Sequence, residues 1–329
     1  MKPLALSIGD PSGIGPEIAA KAWLAREVKN LPPFFVVGDH RAISAVWRGP
    51  IVSIENPEET AAVFQRALPV LAVENQGEIL VGHPSLEGAG HALQALEIGV
   101  GLARSGAASG LVTGPVSKAQ LYAVGFRHPG QTEFIAERCG VSQENTVMML
   151  VARSFRVVPV TIHIALSQVA QSLTTELIVA RARAAVRGLI RDFGISAPRI
   201  AVAGLNPHAG EGGMMGDEEG RMIAPAIESL KAEGINAFGP ISPDSLFTAA
   251  ARDTYDLALC MYHDQALIPL KALYFDEGVN MTLGLPIIRT SPDHGTAFAI
   301  AGQGKADPGA MIAAIQAAAS AAHFRALQP

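Results

Sequence analysis

The stretch that decides the fold is Leu4-Ala5-Leu6-Ser7-Ile8-Gly9-Asp10-Pro11-Ser12-Gly13-Ile14-Gly15-Pro16-Glu17. It reads as an apolar run, a glycine-rich turn and a helix start, with Pro16 well placed for the first helical turn. The same order recurs along the chain. The predicted strands include Leu4–Ile8, Phe34–Val37, Gly110–Thr113, Val157–Ile162, Arg199–Ala203 and Leu257–Met261, and the predicted helices include Glu17–Lys29, Ala89–Ser105, Thr175–Phe193, Gly220–Glu233 and Pro308–Arg325.

Most of these strands are apolar without alternation, which is typical of strands buried on both faces. Strands that alternate with helices predict an α/β fold with a mostly parallel sheet and helices on both sides. A length of 329 residues suggests two domains. Because no Ser/Gly linker or charge run separates two halves, we expect a discontinuous layout. It places residues 1–130 and 290–329 in a first α/β/α domain and 131–289 in a second.

The composition excludes several classes of protein. The chain is 49% hydrophobic and 17% charged, which is too apolar for a disordered chain. Its formal charge of −5 gives no positive field for nucleic acid or an anionic membrane. The first apolar run is too short for a signal peptide, and no stretch suits a membrane span. Two cysteines, Cys139 and Cys260, make no disulfide framework, so we expect a cytoplasmic protein.

Two glycine-containing loops resemble nucleotide-binding motifs without matching them. After Gly13-x-Gly15, a dinucleotide fingerprint needs a third glycine at position 18, which is Ile18, and Asp39 would then be the ribose-binding acid. A tight turn that requires glycine conformations is the favoured interpretation. The loop Thr113-Gly114-Pro115-Val116-Ser117-Lys118 lacks the Gly-Lys-Ser/Thr of a Walker site, so it is either a pocket-lining loop or a plain turn.

Three histidines follow three predicted strands. His163 follows the strand at 157–162, His208 the strand at 199–203, and His263 the strand at 257–261. In a parallel sheet, the carboxyl ends of the strands lie along one edge, where ligands bind. Three imidazoles with an open position are typical of a catalytic divalent-metal site, although each alone also suits a hydrogen-bonded loop residue. Asp264 is a candidate fourth ligand, imidazole-orienting partner or base.

Anion-binding side chains follow downstream. Lys271 and Arg289 are the usual donors to phosphate or carboxylate, and Asn280 and Arg289 lie in otherwise apolar segments. Polar heads in such segments favour a cleft over open solvent. The residues therefore indicate a metal enzyme that acts on a small anionic molecule.

Several segments carry a family resemblance over essentially the whole length. They are Gly9–Glu17, Thr113–Lys118, Leu205–Gly213, Met261–Gln265, Gly278–Pro286 and Arg289–Ala297. In these segments the chain resembles the 4-hydroxythreonine-4-phosphate dehydrogenase (PdxA) family of pyridoxal phosphate biosynthesis. The resemblance implies a homodimer of two-domain subunits, similar in shape to isocitrate and isopropylmalate dehydrogenases. It places the active site in the interdomain cleft, with a site for NAD or NADP that lacks the dinucleotide fingerprint.

The resemblance also assigns site residues. It implies that one divalent ion (Zn, Mg, Co or Mn) is held by His163, His208 and His263, drawn from both subunits, whose dimer contacts lie in the second domain. The small phosphorylated substrate would be bound by Gln131, Thr132, Lys271, Asn280 and Arg289. The expected reaction oxidises the substrate alcohol and then releases CO2 from the β-keto acid. Asp264 and Lys118 are the candidate proton acceptors.

One position departs from the family pattern. The family usually has His-Thr-Glu-Phe where this chain has Gln131-Thr132-Glu133-Phe134. Glutamine keeps a hydrogen-bonding contact but cannot carry a proton charge near neutrality. A related dehydrogenase acting on a threonate phosphate or a cis-dihydrodiol therefore stays open. Two alternatives from other classes are a phosphate acyltransferase, since acetyl-transferring enzymes share this broad architecture, and a non-catalytic metal- or anion-binding protein.

Overall fold

The computed structural model describes residues 2–73, 77–142 and 145–328. Its strands are β1 Leu4–Ser7, β2 Phe34–Gly38, β3 Ile51–Ile54, β4 Leu68–Ala72, β5 Leu111–Thr113, β6 Val147–Ala152, β7 Phe155–Pro159, β8 Arg199–Ala203, β9 Asn236–Ile241, β10 Leu257–Cys260, β11 Val279–Leu283 and β12 Arg289–Pro292. Its α-helices are α1 Gly15–Leu24, α2 His40–Val46, α3 Thr60–Val63, α4 Leu86–Arg104, α5 Lys118–Ala123, α6 Gln131–Arg138, α7 Val169–Ser172, α8 Thr175–Phe193, α9 Ala224–Ala232, α10 Pro243–Leu246, α11 Ala249–Arg252, α12 His263–Tyr274 and α13 Gly309–Ala326.

The chain forms two compact units. The first comprises Met1–Gly140 and Leu285–Leu327, and the second comprises Val141–Gly284 together with Gln328. The first unit is therefore discontinuous in sequence, and the carboxyl-terminal helix α13 belongs to it. The divisions fall at 140/141 and 284/285, where the sequence predicted 130/131 and 289/290. Helix α6, with Gln131 and Thr132, consequently belongs to the first unit and not to the second.

The first unit contains a parallel sheet in the order β3-β4-β2-β1-β5-β12. Strands β1 and β2 are buried along their whole length, as their unbroken apolar runs predict. A hydrophobic core packs Phe35, Val37 and Leu111 of the sheet with Leu96 of α4 and Phe134 of α6. Helix α13 is joined to β12 by the Thr290 hydroxyl, which donates to the carbonyl of Ala314 at 2.8 Å. This return of the chain gives the first unit its final strand and helix.

The second unit contains a mixed sheet in the order β11-β6-β7-β10-β8-β9. Strands β11, β6 and β7 pair antiparallel, whereas β7, β10, β8 and β9 pair parallel. Its core joins Val157, Ala201 and Ala258 of the parallel strands to Ala266 and Leu270 of α12. The predicted α/β class with a mostly parallel sheet is confirmed in both units.

Helix α8 shows how closely local sequence sets an element. Its N-cap is Thr174, whose side chain accepts a hydrogen bond from the Leu177 N–H, and its C-cap is Gly194 with φ 67°. Both are the residue types that favour helix ends, and the helix spans the predicted 175–193.

Within the described residues, none of the helices is both long and apolar enough to cross a bilayer.

Candidate metal and substrate sites

The three histidines follow neighbouring strands of the second unit. Strand β10 pairs in parallel with β7 on one side and with β8 on the other. The carboxyl ends of these strands therefore lie side by side, and His163, His208 and His263 come three to five residues after them. His263 is the first residue of α12. Adjacency of three strands brings together loops that are far apart in sequence.

Two of these imidazoles lie close together. The ring centroids of His163 and His263 are 5.7 Å apart. His263 Nδ1 lies 2.7 Å from Asp264 Oδ1, a contact that orients the imidazole ring. Across the described residues of the single chain, no group of three His, Cys, Asp or Glu side chains is arranged to hold a metal ion. The metal-site assignment therefore stays a prediction, and its donor chemistry suits a divalent cation that other ligands complete.

His208 occupies a turn with unusual backbone geometry. The turn Pro207–Gly213 holds His208, Ala209 and Glu211 at positive φ, and His163 has φ 53° as well. Non-glycine residues in this region are uncommon and carry strain, which the surroundings must overcome. His208 also lies close enough to Asp244 to help lower the pKa of that carboxyl, although the Ser242 hydroxyl is the main cause.

Glu219 holds this turn in place. Its Oε1 accepts hydrogen bonds from the N–H groups of Leu205 at 2.8 Å and Asn206 at 2.7 Å, and its Oε2 accepts from Asn206 Nδ2 at 3.0 Å. It begins the π-helical turn Glu219–Ile223, a distortion that is frequent at functional sites. A side chain at Gly210, which has φ +80°, would meet Glu219 Oε2 at 2.7 Å. Sequence reasoning missed Glu219, because nothing local marks an acid as the partner of a loop 14 residues earlier.

Arg289 is a buried cation at the start of β12. Burial lowers the pKa of its guanidinium to about 10, against the opposing effect of Glu133, so it stays charged at neutral pH. Its Nη2 donates to Thr113 Oγ1 at 2.8 Å. A buried guanidinium requires anionic or hydrogen-bonding partners, and the Thr113 hydroxyl is one of them.

The remaining predicted residues of the first unit surround Gly130. A Cβ atom at Gly130 would lie 3.1 Å from Glu133 Oε2 and 3.9 Å from Lys118 Nζ, so both charged side chains approach this point. Gln131 Nε2 donates to the Gly114 carbonyl at 3.3 Å. Among the described residues, Gln131 Oε1 is buried and has no hydrogen-bond partner. Such an acceptor is expected to receive a hydrogen bond from a ligand or water.

Lys271 and Asn280 belong to the second unit. Lys271 lies on α12, eight residues after His263, and is half-buried. Asn280 lies on β11, and its Oδ1 is a second buried acceptor with no partner among the described residues. The predicted substrate residues therefore divide between the units, with Gln131, Thr132 and Arg289 in the first.

The amino-terminal loop is a tight turn. Gly9 has φ +77°, and a Cβ atom there would lie 2.4 Å from the Pro115 carbonyl oxygen. Asp39, the acid of the dinucleotide interpretation, instead caps α2 and pairs with Arg41 at 2.6 Å. Its backbone N–H donates to Nε2 of the buried His91 at 2.9 Å. These roles agree with the turn that the sequence favours.

With this geometry established, comparison with known proteins identifies the family. The family model described as "Pyridoxal phosphate biosynthetic protein PdxA" matches residues 30–318. The chain belongs to the PdxA family. It is 56% identical over 325 residues to a 4-hydroxythreonine-4-phosphate dehydrogenase of Zymomonas mobilis, covering 99% of this chain and 97% of that protein.

Solved structures of PdxA-related enzymes agree with this membership. A crystal structure of 4-hydroxythreonine-4-phosphate dehydrogenase from Klebsiella pneumoniae matches with a TM-score of 0.87 at 36% identity, covering 98% of this chain and 100% of that one. A terephthalate 1,2-cis-dihydrodiol dehydrogenase from Burkholderia xenovorans matches with a TM-score of 0.66 at 28% identity, covering 97% and 98%. The predicted family is confirmed.

Proposed function

We propose that this PdxA chain catalyses the NAD(P)-dependent oxidation of 4-phosphooxy-L-threonine to 2-amino-3-oxo-4-phosphooxybutanoate. That product decarboxylates to 3-amino-2-oxopropyl phosphate on the route to pyridoxine 5′-phosphate. The observation that carries the proposal is the 56% identity, over 99% of this chain, to a relative named for this activity. The buried cation Arg289 and the two open acceptors, Gln131 Oε1 and Asn280 Oδ1, support it.

The chain's own groups match the parts of the substrate. Arg289 and Lys271 supply positive charge for the phosphate, and binding that remote group orients the carbon that reacts. Gln131 Oε1 and Asn280 Oδ1 accept hydrogen bonds from the ammonium or hydroxyl group. Asp264 or Lys118 takes the proton that the hydroxyl loses. Thr132 is the remaining residue that would contact the substrate.

The donor set of the second unit fits a divalent cation. His163, His208 and His263 would hold it, with Asp264 orienting the His263 ring through the 2.7 Å contact. When bound, the cation polarises the alcohol and carbonyl oxygens, and the nicotinamide accepts a hydride. Zn, Mg, Co and Mn all remain candidates because imidazole binds several metals.

A homodimer that shares this site is part of the proposal. Exposed apolar side chains follow each histidine: Ile164 and Leu166 after His163, Met214 and Met215 after His208, and Ile268 after His263. Met214 is 86% exposed and Leu166 is 71% exposed. Exposed apolar residues beside each of the three histidines favour a surface that a partner covers, and a second copy would also complete the ligand set. A cytoplasmic location is proposed as well, because Cys139 and Cys260 are both unpaired.

The first test joins turnover to metal content. Purified protein should form NADH or NADPH with 4-phosphooxy-L-threonine, and His163→Ala, His208→Ala and His263→Ala should each lose both bound metal and activity. His323→Ala, an exposed histidine on α13, is the matched control and should change neither. Undiminished metal binding in all three site variants would overturn the metal assignment.

A second candidate function is favoured by Gln131, which stands where the family usually has histidine. The likeness to the dihydrodiol dehydrogenase at 28% identity gives this alternative a concrete substrate class. Assays with a threonate phosphate and an aromatic cis-dihydrodiol beside the phosphorylated amino acid separate the possibilities. A higher kcat/KM for either alternative would replace the proposed substrate.

A further inference from the structure

The three histidine loops of the second unit are tied together by one peptide segment. The main-chain carbonyl of Met261 accepts hydrogen bonds from Thr161 Oγ1 at 2.8 Å and from the Thr161 N–H at 3.2 Å. The Met261 N–H donates to Gln265 Oε1 at 2.6 Å, and Gln265 Nε2 donates to the Gly204 carbonyl at 2.8 Å. Met261 therefore joins the loops after β7 and β10 directly, and it joins the loop after β8 through Gln265.

Each member of this network lies close to a histidine in sequence. Thr161 comes two residues before His163, Met261 two before His263, and Gly204 four before His208. Gln265 comes two residues after His263, in the first turn of α12. Every member of the network is therefore within four residues of one of the three histidines.

The network is buried and can be satisfied in one way. Thr161, Met261 and Gln265 are all buried. The Gln265 amide meets an N–H group on one side and a carbonyl on the other, so a flipped amide would break both bonds. A buried amide with both partners satisfied holds a single rotamer, because leaving either partner unsatisfied is costly.

We propose that Gln265 and Thr161 are positioning residues that set the mutual register of the three histidine loops. They bind neither cation nor substrate; they hold the strand ends from which His163, His208 and His263 extend. The inference rests on the proposed metal site. It goes beyond that site because it assigns the relative placement of the three histidines to two uncharged side chains that are not themselves ligands.

The test uses volume-conserving substitutions in the full-length enzyme. Gln265→Met removes both amide hydrogen bonds. Thr161→Val removes only the hydroxyl bond and keeps the main-chain bond to Met261, so this variant should fold. Affinity for Co²⁺ is measured by competition with a chromogenic chelator, and the midpoint of thermal unfolding is measured in parallel. Each variant should bind Co²⁺ about tenfold more weakly, the lower end of the usual range for groups that orient metal ligands.

The matched controls remove similar bonds elsewhere. Thr175→Val removes the hydrogen bond from the Thr175 hydroxyl to the Met222 carbonyl at 3.1 Å. Gln303→Met removes the hydrogen bond from the Gln303 side-chain amide to the Ala299 carbonyl at 2.7 Å. Both should keep wild-type Co²⁺ affinity. Excess metal should restore the turnover of Thr161→Val, because the ligands remain present and only their arrangement is loosened.

The outcomes separate this inference from the proposed function. Wild-type protein that binds no Co²⁺, or that binds it equally after His263→Ala, would remove the metal site and this inference with it. Wild-type binding that depends on His263, with unchanged affinity in Thr161→Val and Gln265→Met, would overturn the positioning role alone. Lowered thermal midpoints at wild-type affinity would overturn it too, since they show a purely structural role.

Discussion

Replacing Glu219 tests how the second unit supports the His208 turn. This carboxylate accepts three hydrogen bonds, two from main-chain N–H groups and one from Asn206 Nδ2. In Glu219→Gln, the amide oxygen can still take both main-chain donors. The new NH₂ group, however, faces the NH₂ of Asn206, which keeps its bond to Glu218 Oε2 at 2.7 Å. One acceptor is lost, and the other two bonds lose their charge assistance.

The expected cost follows from those bonds. A hydrogen bond to a charged group contributes about 1.5–3 kcal/mol, and a neutral one about 0.5–1.5 kcal/mol. Losing one and weakening two should lower the free energy of unfolding by about 3 kcal/mol. For a unit as large as the second one, each kcal/mol lost lowers the thermal midpoint by about 2–4 °C, so the midpoint should fall by about 6–12 °C. Glu219→Ala, which removes the acceptor of the main-chain N–H groups of Leu205 and Asn206 as well, should cost more.

Thermal and urea unfolding of the variants measure this cost. The matched control is Glu228→Gln, because Glu228 is an exposed acid of the same unit that pairs with Lys231 at 2.9 Å. Exposed pairs of this kind contribute about 0–1 kcal/mol, so the control should unfold close to wild type. If Glu219→Gln unfolds within about 2 °C of the control, the turn does not depend on this carboxylate and the reasoning is refuted.

Three further predictions concern single residues. Asp264→Ala should weaken divalent-cation binding by about 10–100-fold. Asp264→Asn should bind the cation better than the alanine variant, because its amide oxygen can still accept a hydrogen bond from the His263 ring. Equal affinities of the two variants, measured by chelator competition, would contradict the orienting role. Arg289→Lys should raise KM for the phosphorylated substrate about tenfold or more, because a lysine cannot reproduce the planar guanidinium and its hydrogen bond to Thr113. An unchanged KM in steady-state assays would count against a contact between Arg289 and the substrate. Burial lowers the pKa of His91 below its ordinary 6.5, so the unfolded chain binds more protons as pH falls below 6.5. The free energy of unfolding should therefore drop with falling pH by at most about 1.4 kcal/mol per pH unit from this group, and His91→Gln should show a flatter urea-unfolding profile between pH 6.5 and 5; identical slopes would contradict the assignment.

Much of the secondary structure could be predicted from local sequence. Strand Arg199–Ala203 and helix Thr175–Phe193 have the predicted bounds, because an apolar run and two good caps specify them locally. The predicted strand at 157–162 lies instead at Phe155–Pro159. Phe155 and Arg156 pair with β6 in a hairpin, which extends the strand toward its amino end. The strand ends at Pro159, although the N–H groups of Val160 and Thr161 still donate to the carbonyls of Cys260 and Met261. Pairing partners decide such ends, and they are not local.

The candidate site divides in the same way. The types and spacing of His163, His208, His263 and Arg289 are evident in the sequence, since imidazoles after strands and a cation in an apolar segment suggest chemistry wherever they occur. The sequence did not single out Glu133, Glu219, Thr161 and Gln265, because an acid, an amide or a hydroxyl near a motif is usually a solvated side chain. Their roles depend on burial beside a particular partner.

The amino-acid sequence by itself determined the alternation of strand and helix, the family and the candidate site residues, because apolar periodicity and residue chemistry are local properties. Only the tertiary structure decided that β7, β10 and β8 are neighbours, that α6 belongs with the first unit, and that Met261 joins three histidine loops. Those features depend on hydrogen bonds between residues as many as 100 positions apart. A buried donor or acceptor needs a partner to offset the cost of its desolvation, and here that partner lies far along the chain. No stretch of sequence taken alone contains that information.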